Sequence, residues 1–276
     1  MKNCIRLFCI NVLCFAALAA EEAVQLTTKL QMKSRWEVEG KPVLVQVKQE
    51  QKADLLFTEQ KNWKFPIELT FILRDASIEV QGGEKHLSQN LKNPGPVLSL
   101  TEMSQFAGRP FKVSLLEGKP AFRFEDDLGK RYKDLSSFDD PFFEALFIQI
   151  LHELFEIVQK NLKAGEGFEI VTENAGKVTF TSKMTFTVSE NNADKMTLQS
   201  AFNIERQKVA LPGKNENTIP AVIYGQLKGV WTIQKQNPLL FTFQDKGKIS
   251  YAIGYEETQA SIVHEIERSA STTPLP

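Results

Sequence analysis

Cysteine and histidine are scarce in this chain. Only three cysteines occur in 276 residues, and all of them, Cys4, Cys9 and Cys14, precede residue 20. The rest of the chain therefore has no thiol, which excludes disulfides, cysteine nucleophiles, zinc–thiolate sites and iron–sulfur clusters there. Histidine occurs at three positions. We accordingly predict a chain that binds no metal and carries no cofactor.

An excess of charge of either sign is also missing, because 33 Lys and Arg residues stand against 34 Asp and Glu residues. Without a positive excess the chain is not suited to displace counterions from a phosphate backbone, which excludes an ordinary nucleic-acid binder. Apolar residues make up 42% of the chain and charged residues 24%. This composition is typical of a folded domain and excludes both a disordered chain and a polytopic membrane protein.

The N-terminus has the pattern of a targeting segment. Lys2 and Arg6 precede an apolar stretch over 7–17, and Ala17-Leu18-Ala19 has the A-x-A form of a cleavage site. These features predict a secretory signal peptide over 1–19, whose apolar stretch is too short for a permanent membrane helix. We expect the chain to be exported and to have no integral membrane span after cleavage. The expected location is the periplasm or the outer membrane of a bacterium, with secretion as the alternative.

Period-two alternation dominates the rest of the chain. Over 24–38 the even positions are mainly apolar and the odd positions polar or charged, which is the pattern of a strand with one buried face. Similar alternation recurs within 24–125 and within 176–268, with turn-forming residues between the segments. Sequential strands joined by short turns predict antiparallel pairing. Because strands of this length twist strongly, we expect the sheet to be curved.

One apolar helix is predicted between the two strand-rich segments, near residues 140–164. Pro141 suits its first turn and Gly165 its C-terminal end. Its polar residues form one stripe, so most of its circumference has to be covered. We expect it to fill the concave side of the sheet. Its bulky side chains belong either to the core or to the lining of an apolar cavity; the candidates for that lining are Phe142, Phe143, Phe147, Leu151 and Phe155.

These patterns together predict an α+β fold. A long, curved antiparallel sheet, shaped as a half-barrel or a clamshell, is expected to pack around the helix near residues 140–164. A single β-rich domain is expected over 20–268, with the strand-rich halves 24–125 and 176–268 flanking the helix. Residues 269–276 are mostly small or polar and are expected to form a disordered tail.

A resemblance rests on one hairpin pattern and on the overall layout. Alternating apolar residues are followed by a turn at Gly118 and by two further phenylalanines; the residues are Phe111, Val113, Leu115, Phe122 and Phe124. This segment resembles a pattern in an uncharacterised family of exported bacterial β-rich proteins. The layout is similar to lipoprotein-carrier and lipoprotein-receptor half-barrels of the LolA, LolB and LppX type. That resemblance implies a half-open barrel with helices in its concavity and a lipid-binding cavity, and it transfers no functional residue.

The nearest approach to a catalytic motif is His152-Glu153-Leu154-Phe155-Glu156, which resembles H-E-x-x-H with the second histidine replaced. A zinc site needs a further protein ligand, and His86 and His264 are the only other histidines. We expect His152, Glu153 and Glu156 to belong to the solvated stripe of the helix. They are accordingly predicted to be neither catalytic nor metal-binding.

The sequence favours a non-enzymatic binding protein of the cell envelope. Its expected partner is a lipid or lipoprotein-like hydrophobic ligand, or an envelope protein. A structural or protein-interaction module, in the envelope or secreted, is the alternative, and a hydrolase is the third possibility. No nucleophile-elbow, phosphate-cradling or dinucleotide-binding pattern occurs in the sequence.

Overall fold

In the computed structural model of the chain, the strands of the described residues form one antiparallel sheet, and the helix among those residues is short. The described residues are 21–38, 41–58, 67–95, 104, 107–116, 119–123, 149–160, 162–175, 178–212, 218–255 and 258–276. The signal peptide predicted over 1–19 lies outside them.

The helix α1 is Gln149–Gln159, and twelve strands are described. In chain order they are β1 Glu21–Val38, β2 Lys41–Thr58, β3 Ile67–Gly82, β4 Lys85–Asn90, β5 Pro110–Leu116, β6 Lys119–Arg123, β7 Gly167–Ala175, β8 Thr179–Asn191, β9 Lys195–Pro212, β10 Thr218–Gln234, β11 Phe241–Tyr255 and β12 Thr258–Pro274.

The strands follow the order β6-β5-β3-β2-β1-β12-β11-β10-β9-β8-β7, and β4 pairs with β3 beside that path. Each half of the chain is thus a run of neighbouring antiparallel strands. The two halves join where β1 pairs with β12, from Val24 opposite Pro274 to Arg35 opposite Val263. The sheet is therefore continuous across the two strand-rich halves.

The predicted alternation of apolar and polar faces is confirmed in the sheet. On β1 the buried side chains are at even positions, among them Val24 and Leu26, while Lys29 and Lys33 are exposed on the other face. We call the face that carries the buried positions the inner face and the opposite one the outer face. The inner face bears nearly all of the core, because the side chains of α1 join the same buried cluster.

Bulges and glycines mark places where the sheet bends. The pairing registers shift at Lys52/Ala53 and at Ile223/Gly225. At Gly247 an added Cβ would lie 1.9 Å from the Gln226 carbonyl oxygen, and at Gly225 it would lie 2.5 Å from the Lys248 carbonyl oxygen. Only glycine allows neighbouring backbones to approach this closely, and such positions typically occur where a sheet is strongly coiled.

The helix corrects one prediction. It was expected near residues 140–164, whereas α1 ends at Gln159. The amide of Lys160 donates to the Ile157 carbonyl in a tightened last turn, and Gly165 has a φ of 85° in the connection to β7. Within the described residues the helix is therefore short, and its predicted continuation to residue 164 is wrong. The part of the prediction over 140–148 lies outside the described residues.

The C-terminus corrects a second prediction, the disordered tail over 269–276. Residues up to Pro274 continue β12 and pair with β1, and Ala270 is 3% exposed. The prediction was wrong because serine and threonine are frequent in tails but also occur in strands. Here they belong to β12, which pairs with β1 on one side and with β11 on the other. The short strand β4 and the strand β7 were not predicted either.

Candidate functional site

A row of polar side chains crosses the inner face and divides it into two ends. The row follows residues that are paired across neighbouring strands, and Ile78, Leu30 and Gly229 stand between its polar members. Its members from β4 to β9 are Gln89, Gln49, Arg268, Asp245 and Ser200. We call the side of the row that carries α1 the proximal end and the other side the distal end.

The helix fills the proximal end. Ile150, Leu154 and Ile157 of α1 are at most 1% exposed. They belong to one cluster with inner-face residues of eight strands; these include Leu26, Leu55, Phe71, Trp231 and Phe241. Burying this apolar surface on both partners is the main force that holds the helix on the sheet. The expected burial of the helix is therefore confirmed in its described part.

Of the five predicted cavity-lining residues, two lie in the described part of the chain and three do not. Leu151 and Phe155 are each 3% exposed and belong to the packed proximal cluster. In the described part of the chain they therefore contribute to the core that joins helix and sheet. Phe142, Phe143 and Phe147 lie outside the described residues.

A charged cluster lies in the polar row beneath the helix. The guanidinium of Arg268 donates from Nε to both carboxylate oxygens of Asp245, at 3.0 and 3.1 Å, and from Nη2 to Oδ2. Asp245 is 3% exposed and Glu153 of α1 is 4% exposed. Burial disfavours the charged guanidinium, but Asp245 and Glu153 outweigh this effect and raise the pKa of Arg268 above its ordinary value. The cluster thus connects the helix electrostatically to the sheet.

The helix motif is therefore only partly as predicted. Glu153 was expected in a solvated stripe, and this is wrong, because it faces the sheet and interacts with Arg268. Glu156 is half-buried. The backbone of His152 belongs to α1, and its side chain lies outside what the structure describes. Among the described residues no three His, Cys, Asp or Glu side chains are grouped so that they could hold a metal ion.

The distal end differs from the proximal end in how far its apolar side chains are covered. A small cluster around Ile204 and Ile223 is buried there. The surrounding inner-face side chains are only half-buried; they are Met32, Trp36, Phe180, Leu211, Ile249, Tyr251, Ile253, Ile262 and Ile266. None of the helix residues in the described part belongs to this small cluster. The distal end is consequently an apolar surface that the described chain leaves half-covered.

Two polar side chains lie in the middle of this apolar surface. Ser34 Oγ of β1 is 2.8 Å from Nδ1 of His264 on the neighbouring strand β12. The His264 ring meets that of Tyr251 edge-on, with 5.6 Å between centroids. Burial lowers the pKa of His264 and raises that of Tyr251, so both side chains are uncharged at neutral pH. The sequence placed both residues on inner-face positions but did not indicate that they meet.

Two shallow depressions of a different character lie on the outer face, in the part of the chain that the structure describes. One has a volume of about 510 Å³ and the other of about 330 Å³. Both are lined mainly by small polar and charged side chains, including Thr187, Gln199, Lys228, Thr242 and Ser269. Their polar, open surroundings suit water better than an apolar ligand, whereas the distal end of the inner face is mainly apolar and is the candidate site.

The described part of the chain has no helix with the length and apolar composition of a membrane-spanning segment. No model of a known protein family matches the sequence, and no curated protein matches it either.

Proposed function

We propose that the chain is an exported, non-enzymatic binding protein of a bacterial cell envelope, and that the distal end of its inner face holds an apolar ligand. The observation that carries the proposal is the contrast between the two ends. At the proximal end the helix covers the apolar positions of the sheet, and at the distal end equivalent positions such as Ile249 and Ile262 are half-buried. A ligand that covers them gains about 25 cal/mol for each Å² of apolar surface removed from water.

The bends of the sheet support a concave site. The glycine positions Gly225 and Gly247 and the bulge beside Gly225 lie on β10 and β11, which carry part of the distal end. Among the described residues the helix fills the apolar inner face from one end, and in a strongly coiled sheet this is the arrangement expected of a half-open barrel. We therefore infer a half-barrel with lipid-carrier-like binding, in keeping with the resemblance in layout.

Fluorescence of the apolar probe 1-N-phenylnaphthylamine tests the proposal on purified chain 20–276. We expect the probe to bind with enhanced emission, and we expect Ile249→Asn to weaken binding at least fivefold because it places an amide in the apolar surface. The matched control is Val230→Asn, since Val230 is 49% exposed on the outer face. Far-UV circular dichroism establishes that both variants are folded. An unchanged probe emission with the wild-type chain would contradict the proposal.

Export is tested separately by the intact mass of the chain recovered from the periplasm of an expressing bacterium. We expect a mass that lacks residues 1–19. A recovered mass that includes those residues, or a chain confined to the cytoplasm, would contradict the export part of the proposal and leave the binding part to be judged by the probe.

A further inference from the structure

We propose that Ser34 and His264 form the hydrogen-bonding site for the uncharged polar head, an ester or an alcohol, of a lipid whose apolar chain lies along the distal end. This inference rests on the proposed function and adds the chemical class of the ligand. The pair lies in the centre of an otherwise apolar surface rather than at a rim.

The geometry of Ser34 and His264 determines which hydrogen bond the pair can donate to a ligand. Ser34 is 4% exposed and its Oγ lies 2.8 Å from Nδ1 of His264. With the hydroxyl donating to Nδ1, the remaining proton of the neutral imidazole is on Nε2, which is then a donor to a ligand oxygen. The edge-on contact with Tyr251 fixes the plane of the imidazole ring. The half-buried ring is thus held by two neighbours while it remains partly accessible.

The surroundings select an uncharged head. Ser34, His264 and Tyr251 lie on β1, β12 and β11. None of the following inner-face side chains on these strands at the distal end bears a formal charge at neutral pH: Met32, Ser34, Trp36, Ile249, Tyr251, Ile253, Ile262, His264 and Ile266. The charged residues nearest in sequence, among them Arg35, Lys248 and Glu265, have the opposite parity and point to the outer face. An anionic head would accordingly be desolvated without a cation to compensate it.

Selectivity between two matched lipids tests the inference on chain 20–276. Monodecanoylglycerol and decanoate share an acyl chain and differ in head charge, and each is titrated below its aggregation concentration against bound 1-N-phenylnaphthylamine. We expect monodecanoylglycerol to displace the probe at about tenfold lower concentration than decanoate. Equal or stronger displacement by decanoate at pH 7.5 would overturn the inference.

Two variants test whether Ser34 and His264 bind the polar head of the lipid. His264→Phe and Ser34→Ala are each expected to weaken displacement by monodecanoylglycerol about threefold to tenfold, the loss of one hydrogen bond, while binding of the probe itself is retained. His86→Phe, at an exposed position of β4, is the control. If His264→Phe does not fold, Ser34→Ala and the wild-type selectivity decide. Variants with wild-type displacement overturn this inference alone, whereas a wild-type chain that binds no probe overturns the proposed function with it.

Discussion

Arg268 of β12 and Asp245 of β11 are register partners on the inner face, and the guanidinium donates hydrogen bonds to both carboxylate oxygens. The side chain of Arg268 also lies over the Phe243 ring, with 5.6 Å from its guanidinium carbon to the ring centroid. Both charges are largely removed from water, with side-chain exposures of 13% for Arg268 and 3% for Asp245. Such a pair is stable only while its members compensate each other, and here Glu153 of the helix is a third charge.

The first prediction follows from the composition of this cluster, in which one cation, Arg268, faces two carboxylates, Asp245 and Glu153. Arg268→Met leaves Asp245 and Glu153 buried without their cation, and we expect it to lower the free energy of unfolding by about 3–5 kcal/mol at pH 7.5. Asp245→Asn is expected to lower it less, because Arg268 keeps Glu153 and the amide oxygen still accepts a hydrogen bond. Urea denaturation measures both variants. A larger loss in Asp245→Asn than in Arg268→Met would contradict the proposed connection to the helix.

A matched control shows whether the loss in Arg268→Met comes from the buried cluster or from the removal of any cation. Lys248→Met is the control, because the ion pair of Lys248 with Glu265 is exposed and contributes little.

The second prediction concerns the helix. Leu154 is fully buried between α1 and the sheet, so Leu154→Ala leaves a cavity and is expected to lower the free energy of unfolding by about 2–5 kcal/mol. Gln159→Ala, at an exposed position of the last turn, serves as the comparison. Guanidinium denaturation followed by tryptophan fluorescence measures the loss, since Trp231 lies in the same cluster. A loss below about 0.5 kcal/mol would mean that the helix is not part of the core.

Much of the sheet could be predicted because period-two alternation is a local signal. β1, β2, β8 and β9 follow their alternating segments, and Gly83, with a φ of 58°, stands in the turn between β3 and β4. The end of β12 could not be predicted in this way, because Ser269, Thr272 and Thr273 lack apolar alternation. That segment is held by pairing with β1, which lies more than 230 residues away in the chain.

The candidate site was harder to predict than the fold. The alternation along each strand assigns Ser34 and His264 to the apolar face of its own strand. Their contact, however, depends on the register between the first and the last strand. Local patterns contain no information on that register. Glu153 was assigned to solvent for a related reason: helical spacing defines a polar stripe, and only the arginine on a distant strand explains why one member of the stripe is buried.

The third prediction uses the pKa of His264, which burial lowers. Because its folded-state pKa lies below the unfolded value, the unfolded chain binds protons first as pH falls. The free energy of unfolding is therefore expected to decrease between pH 7.5 and pH 5.5 in the wild type. In His264→Phe this part of the decrease should vanish, while His86→Gln should keep it. Identical pH profiles for wild type and His264→Phe in urea denaturation would contradict the lowered pKa.

The last prediction concerns the end of β12. Thr272 is 9% exposed, its hydroxyl accepts a hydrogen bond from the Phe241 amide at 2.9 Å, and it donates one to the Leu239 carbonyl at 2.6 Å. Thr272→Val keeps the shape of the side chain but leaves buried backbone groups without these bonds, so we expect it to lower the free energy of unfolding by about 1–3 kcal/mol. Thr273→Val, on the exposed outer face opposite Gln25, should have little effect. A chain that ends at Arg268 should lose more than Thr272→Val, because it also loses the pairing of the segment with β1. If both changes leave the urea midpoint unaltered, residues 269–276 form a tail after all, and the pairing of 24–29 with 269–274 is wrong.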